Sequence, residues 1–295
     1  MIRVVVTGIE GQVVRALAAR SQDYPDIGLT FLGRPEINLE KPEQVGVAIR
    51  DLKPDAVVSA AAYTAVDQAE DEQVIAMIVN GIAPGEIARA AADCGAPIIH
   101  LSTDYVFAGD GDVAYDESNP TGPVTAYGRT KLAGEQAIIE AIAEHVILRT
   151  AWVYSPYGKN FVKTMLSLAE TRSDLTVVDD QHGNPTEAHD IADGIFAVLG
   201  RLRVQSGNKS NYGIFHMAGA DETTWCGFAN EIFSLSDAMG GPSANIAPTT
   251  SDAYPTKAPR PANSRLNSSK FTQQFQHTLP GYKASLARVL RDLEL

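Results

Sequence analysis

The sequence predicts an α/β fold built on a doubly wound parallel sheet. Two observations predict it. Short aliphatic and β-branched runs alternate with amphipathic stretches of helical length, the pattern of successive βαβ units. The first run, Ile2 to Val6, passes straight into a glycine-bearing turn and then a helix. That is how a dinucleotide-binding sheet begins.

Composition bounds the rest. The chain has 295 residues, 44% of them hydrophobic and 20% charged, as in an ordinary globular protein with a sizeable core. A net charge of −12 argues against nucleic acid or an anionic membrane surface as partner. It leaves room for an anionic small ligand held by local Arg and Lys. Cys94 and Cys226 lie in helix-like segments without metal spacing and read as free thiols in a reducing compartment. No apolar stretch is read as approaching the ~20 residues of a membrane span. The N-terminus shows no signal-peptide pattern. A cytoplasmic protein is expected, with no metal site.

In the opening turn, Thr7-Gly8-Ile9-Glu10-Gly11-Gln12-Val13-Val14, Gly8 lets the chain turn tightly. Gly11 lets backbone amides approach a pyrophosphate at the start of the helix through Arg20. Val14 stands where a third glycine is usual. Leu29 to Leu32 reads as the second strand and ends at Gly33-Arg34. An acidic residue at this strand end suits a free ribose 2′-hydroxyl, and an arginine suits a 2′-phosphate. Arg34 therefore points to NADPH, while Glu36 and Asn38 close behind keep NADH open.

Pro42 to Leu52 reads as a helix and Ala56 to Ala60 as a strand. The small residues that follow, Ala61 and Ala62 before Tyr63, let a cofactor lie against the backbone. A long helix from Glu70 to Ala92 is expected to kink or split at Pro84. Asn80, on its apolar side, is a candidate brace for the active-site strand. Pro97 to Leu101 reads as the fourth strand, and Ala108 to Thr125 as a loop over a ligand. Ala126 to Glu144 is a helix and Val146 to Thr150 a fifth strand. Beyond Trp152 the alternation is less regular. Helices are read at Asn160 to Thr171, His189 to Arg203, Thr224 to Met239 and Tyr282 to Leu293. Strands are read at Leu175 to Asp179 and Gly213 to Met217. Gln205 to Asn211 is a polar linker, and Gly240 to Ala262 a proline-rich lid or wall. Polar groups of Gln181 to Thr186, and Arg260 with Arg265, are candidate ligand contacts.

The chemistry concentrates between Ser102 and Lys131. Ser102-Thr103-Asp104-Tyr105 stands at a strand end, where ligands bind in open α/β sheets. Tyr127 and Lys131, four residues apart, share one helix face. An ammonium beside the phenol would lower its pKa from about 10 and make Tyr127 a general acid for a forming alkoxide. Thr103 would hold the substrate oxygen. A hydroxyl followed by Tyr-x-x-x-Lys is the set of a carbonyl reductase.

Together these motifs resemble the dTDP-4-dehydrorhamnose reductase family of extended short-chain dehydrogenases/reductases. The matching stretches are Thr7 to Gln12, Ala61 to Glu70, Ser102 to Phe107, Tyr127 to Glu135, Arg149 to Tyr154, Asp180 to Thr186 and Arg260 to Leu266. The resemblance implies a Rossmann-type domain over 1–150 and 175–214. It implies a smaller α/β substrate-binding domain over 151–174 and 215–295. It implies NADPH- or NADH-dependent reduction of a dTDP-4-keto-deoxysugar, dTDP-4-dehydro-β-L-rhamnose, with another 4-keto sugar or a non-catalytic NADP-binding subunit as alternatives. Thr103, Tyr127 and Lys131 carry over as the catalytic set. Gly8, Gly11, Gln12, Val13, Ala61, Ala62, Tyr63 and Lys131 carry over as cofactor contacts, with Tyr127 beside them. Arg34, Asn38 and Leu39 stand on the cofactor's ribose side, and Asn38-Leu39 departs from the family's Asp-Leu or Asp-Phe. Thr64, Val66, Tyr105 and Trp152 carry over as the sugar pocket, next to Thr103 and Tyr127. Dehydratases of this fold place Asp-Glu after the threonine; here Tyr105 follows Asp104. Some members pair as homodimers through a magnesium ion held by glutamates near the first helix. Arg15 stands in that region here, so the metal is not carried over.

Overall fold

A computed structural model describes residues 1–205 and 207–294; Ser206, in the expected linker, and Leu295, at the end of the expected second domain, lie outside the described residues. Six parallel strands form the central sheet: β1 (Ile2–Thr7), β2 (Ile27–Leu32), β3 (Ala56–Ser59), β4 (Ile98–Thr103), β5 (His145–Thr150) and β10 (Gly213–His216). Their order is β10-β5-β4-β3-β1-β2. The order reverses between β1 and β3, and a doubly wound sheet opens its ligand crevice at that switch point.

Alternation of side chains across each strand fills both faces. Val4, Val6, Val58, Ile99 and Leu148 pack with α1 (Gln12–Arg20) and α8 (Ala188–Val204) in one cluster. Val5, Val57, Ile98 and Ile147 pack on the other face with α2 (Pro42–Leu52), α5 (Ala83–Asp93) and α6 (Ala126–Ala141). After β3 come the short helices α3 (Val66–Ala69) and α4 (Gln73–Met77).

The helix is interrupted just before Pro84, in the region where an interruption near Gly81 and Pro84 is expected. The chain runs from α4 through a π turn, Ile78–Ile82, into α5. Pro84 then falls in the first turn of α5, where its missing N–H is tolerated. The 21-residue helix Gln73–Asp93 is long and apolar enough for a membrane span, which corrects the reading that no stretch approaches one. Its apolar residues are spent on packing: 61% of the 18-residue window is buried inside the fold.

A second cluster lies apart from the sheet. It joins α7 (Phe161–Ala169), β7 (Asp174–Val178), α9 (Trp225–Ala238) and α11 (Tyr282–Asp292) through Met165, Leu175, Val177, Phe228, Ile232 and Leu286. Two short strands, β6 (Val153–Tyr154) and β9 (Thr186–Glu187), pair beneath it. Strands β8 (His182–Gly183) and β11 (Thr223–Thr224) pair likewise. The expected lid contains a strand, β12 (Asn245–Thr249), parallel to β7. Strand β7, expected with the sheet, therefore sits in this second cluster, because β12 satisfies its backbone and α9 covers it. Conversely α10 (Ser269–Phe275) returns to the sheet's first cluster through Phe271 and Phe275.

Candidate active site

Strand β4 delivers Thr103 at its carboxyl end, and a single 3₁₀ turn, Asp104–Val106, follows at once. Thr103 Oγ1 caps that turn by accepting from the Tyr105 amide at 3.2 Å, and donates to Asp104 Oδ1 at 2.9 Å. Asp104 is buried, and among the described residues its Oδ2 has no hydrogen-bond partner. Burial pushes its carboxyl up to about 6, against the Thr103 hydrogen bond that pulls it down.

Helix α6 begins where Thr125 Oγ1 accepts from the Gly128 amide at 3.0 Å. Its first turn brings Tyr127 to the end of β4, with the Tyr105 ring edge-on to it at 5.5 Å between centroids. One turn on, Lys131 enters the core between α6 and β4. Its ammonium donates to Leu101 O at 2.6 Å and faces His100 Nε2 at 3.2 Å.

This geometry corrects the expected electrostatics. The Tyr127 phenol is held above its usual range by burial, opposed by a Thr103 hydrogen bond, and Lys131 is not among the groups acting on it. The buried ammonium has turned to β4, where a carbonyl and an imidazole replace the water it lost. Burial lowers Lys131 to about 8, against the pull of Glu135.

The glycine turn has the shape a dinucleotide needs. Gly8 holds φ +107°, and a β-carbon there would crowd Val14 Cγ2 at 3.2 Å and Ala61 Cβ at 3.3 Å. Gly11 caps α1 with extended backbone and no side-chain cap, so the first amides of the helix are left for an anion. Thr7 Oγ1 accepts from the Ala60 and Ala61 amides at 3.1 and 3.3 Å, pinning the end of β3 to β1. Asn80 clamps Tyr63 from both sides, accepting from its amide at 2.8 Å and donating to its carbonyl at 2.9 Å. It braces the crevice wall, whereas the active-site strand was the expected target. The Tyr63 hydroxyl donates to Glu72 at 2.7 Å, and burial pushes the phenol up to about 12.

Other expected contacts are placed differently from a simple ligand-facing set. Gln12 Oε1 accepts from Ser155 Oγ at 2.7 Å and Asn160 Nδ2 at 3.0 Å, tying α1 to the start of α7. Val13 and Leu39 pack their side chains against core clusters. Arg34 is exposed and held by Glu40 at 2.6 Å and Asn38 at 3.3 Å. Thr64 is exposed and Val66 half-buried beside it. Asn184 is turned inward, holding Gly219, Asp221 and the Leu266 amide, because a buried amide must be satisfied. Arg265 binds Asn263 and the Asp112 carbonyl; Arg260 pairs with Asp67 and reaches the Tyr105 hydroxyl at 3.3 Å. Only Arg260 of the two borders the site.

Trp152 holds φ +48°, an uncommon conformation for a bulky residue. Its indole stacks on Trp225 at 3.6 Å, and Gly183 leaves room for it: a β-carbon there would stand 2.4 Å from the ring. Trp225, His100 and Glu135 are site neighbours that sequence reading does not place at the site, and Asp104 is read there only as half of a dehydratase acid–base pair. Glu135 is buried and accepts from both Arg149 Nε at 2.9 Å and Nη2 at 2.7 Å. Its position four residues after Lys131 was the available signal.

Comparison with known proteins identifies the family. Residues 2–295 match the family described as RmlD substrate binding domain. A dTDP-4-dehydrorhamnose reductase of Sinorhizobium fredii is 46% identical over 98% of this chain and 96% of its own length. The crystal structure of a dTDP-4-dehydrorhamnose reductase from Clostridium acetobutylicum superposes with TM-score 0.91 at 32% identity, covering 100% of both chains. That from Bacillus anthracis, in complex with NADP, superposes with TM-score 0.89 at 31% identity, covering 99% of both. The chain belongs to the RmlD substrate binding domain family.

Proposed function

We propose that the protein reduces dTDP-4-dehydro-β-L-rhamnose to dTDP-β-L-rhamnose with NADPH, or NADH, in the last step of dTDP-L-rhamnose biosynthesis. The reading is supported by full-length relatives of that name and by the NADP bound to the Bacillus anthracis structure. One observation in this molecule carries it: Thr103 and the Tyr127–Lys131 helix share the carboxyl end of β4, near the sheet's switch point.

The cofactor supplies the hydride when bound. Gly8 and Gly11 would take its pyrophosphate, with Gln12 and Val13 at the helix start. Arg34, Asn38 and Leu39 would border its adenosine ribose, Ala61, Ala62 and Tyr63 its length, and Lys131 its second ribose. Tyr127 gives its proton to the carbonyl oxygen as that oxygen becomes a hydroxyl. Its raised pKa keeps the phenol protonated across neutral pH, so the proton is always present to be given. Thr103 orients the carbonyl. Thr64, Val66, Tyr105 and Trp152 position the sugar against the second cluster. Asp104 followed by Tyr105 lacks the second carboxylate of a dehydratase, which favours simple reduction. The reaction uses water-soluble nucleotides, and we place it in the cytoplasm.

The test is incubation with NADPH and dTDP-4-keto sugars while following the reduced nicotinamide band. Loss of absorbance with the rhamnose precursor supports the reading. Cofactor binding without oxidation would overturn it in favour of a binding subunit. Tyr127→Phe is expected to abolish nearly all turnover and keep cofactor affinity; unchanged turnover would remove Tyr127 from its role.

A further inference from the structure

We infer that His100 is a positioning residue for Lys131: a neutral imidazole, anchored on Ser59, that accepts one ammonium hydrogen and fixes where the others point. The inference rests on the reading of Lys131 as a working group of the reductase site.

Three side chains from three elements form a line through the core: Lys131 from α6, His100 from β4 and Ser59 from β3. Lys131 Nζ is 3.2 Å from His100 Nε2, and His100 Nδ1 is 3.0 Å from Ser59 Oγ. Lys131 is 2% exposed, and His100 and Ser59 are 1% exposed, so no bulk water competes for these bonds. An ammonium has only donors, so Nε2 must accept. A neutral ring then carries its proton on Nδ1 and donates it to Ser59. Burial and the adjacent Lys131 charge hold His100 well below its usual range, which keeps the ring in that neutral state. Leu101 O takes a second ammonium hydrogen at 2.6 Å. Two acceptors on one strand thus fix the head of a flexible side chain. One hydrogen is left without a protein partner among the described residues, free for a ligand.

The other groups around the ammonium are accounted for. Glu135, one turn along α6, raises the Lys131 pKa, but its charge is shared with Arg149 of β5 and its Oε1 takes the Ser102 hydroxyl. Tyr127 lies one turn before on the same helix. His100 is the uncharged side-chain acceptor whose lone pair, beside Leu101 O, favours the ammonium form. Removing that lone pair disfavours the charged state, so the Lys131 pKa must fall.

The experiment uses the full chain. Nitrogen-15 NMR of His100 in the cofactor-free protein should show the Nδ1–H tautomer; the Nε2–H tautomer would overturn the proposal without any variant. Titration of Lys131 by carbon-13 NMR of labelled lysine, assigned with Lys131→Met, should show a fall of about one unit in His100→Leu. His100→Gln, which keeps an acceptor oxygen, should restore most of it. The alkaline limb of the kcat profile should move down in parallel, with little change in sugar-nucleotide KM. An unmoved Lys131 titration in folded His100→Leu overturns the positioning role. A moved titration with an unmoved kcat limb upholds the positioning role and overturns the reading of Lys131 as a working group. Should His100→Leu fail to fold, His100→Gln beside Ser59→Ala makes the same comparison. Ser59→Ala should lower the Lys131 pKa and His100→Gln should not, and equal values overturn the proposal.

Discussion

The carbonyl oxygen of Tyr105 sits directly on Gly128: a β-carbon at Gly128 would stand 2.2 Å from it and 3.0 Å from Pro123 Cβ. The turn after β4 and the first turn of α6 therefore meet backbone to backbone. That contact sets how Thr103 stands relative to Tyr127. Gly128→Ala should push the two apart. It is expected to cost about 1–3 kcal/mol of stability, as overpacking does. A misplacement of ~1 Å should lower kcat by up to about 10²-fold. Urea unfolding and steady-state kinetics check this. Full kcat in a destabilised Gly128→Ala protein would show that the contact serves folding alone.

Trp225 should matter to the sugar nucleotide without being part of the proton chemistry. It backs Trp152 at 3.6 Å between centroids and 7° from parallel, while Phe161 lies 4.5 Å away on Trp225. Offset or parallel aromatic pairs contribute about 0.5–1.5 kcal/mol beyond their area. Trp225→Ala removes the support of a residue already held at positive φ. The expected result is a rise of about tenfold in KM for the sugar nucleotide, a smaller change in kcat, and altered near-ultraviolet dichroism. Gly183→Ala should act in the same direction by pushing on the Trp152 ring, since a β-carbon there would stand 2.4 Å from it. An unchanged KM in both variants would separate Trp152 from the sugar pocket.

Asp104 predicts a pH dependence of stability. Its folded pKa is about 6, above the ordinary carboxylate value, with burial as the first cause. Below about pH 4 the carboxyl is protonated in both states and costs nothing. As pH rises toward 6 the unfolded chain releases this proton and the folded chain keeps it, so stability falls. The loss is about 3 kcal/mol once pH exceeds 6, at ~1.4 kcal/mol per unit. Asp104→Asn should remove this component. Relative to the parent protein it should gain by about that amount between pH 4 and pH 7. Chemical denaturation at the two pH values measures the difference, and a gap that stays constant would contradict the buried, unpaired Oδ2.

Local spacing carried much of this protein. The turn could be read from Gly8, whose φ of +107° suits glycine, and the Tyr127–Lys131 pair because helical geometry puts i and i+4 together. The alternation of strand and helix announced the sheet, since each βαβ unit is encoded over a short stretch.

Contacts between distant segments were settled only by the tertiary structure. Strand β12 pairs with β7 across the chain, although its Asn-Ile-Ala-Pro-Thr sequence has no strand periodicity of its own. Gln12 is read as a cofactor contact from its motif, yet its side chain is claimed by Ser155 and Asn160. Trp152 acquires its conformation from Gly183 and Trp225, neither of them near it in sequence. Above all, the sequence by itself determined that Tyr127 and Lys131 share a face, but not what Lys131 binds. Burial, nearly complete for the ammonium and partial for the phenol, raises the phenol's pKa and lowers the ammonium's. The ammonium then took the acceptors that β4 offers, Leu101 O and His100 Nε2. Desolvation depends on every segment packed around a group, so the pKa of a catalytic pair is a property of the fold, whereas its spacing is a property of the sequence.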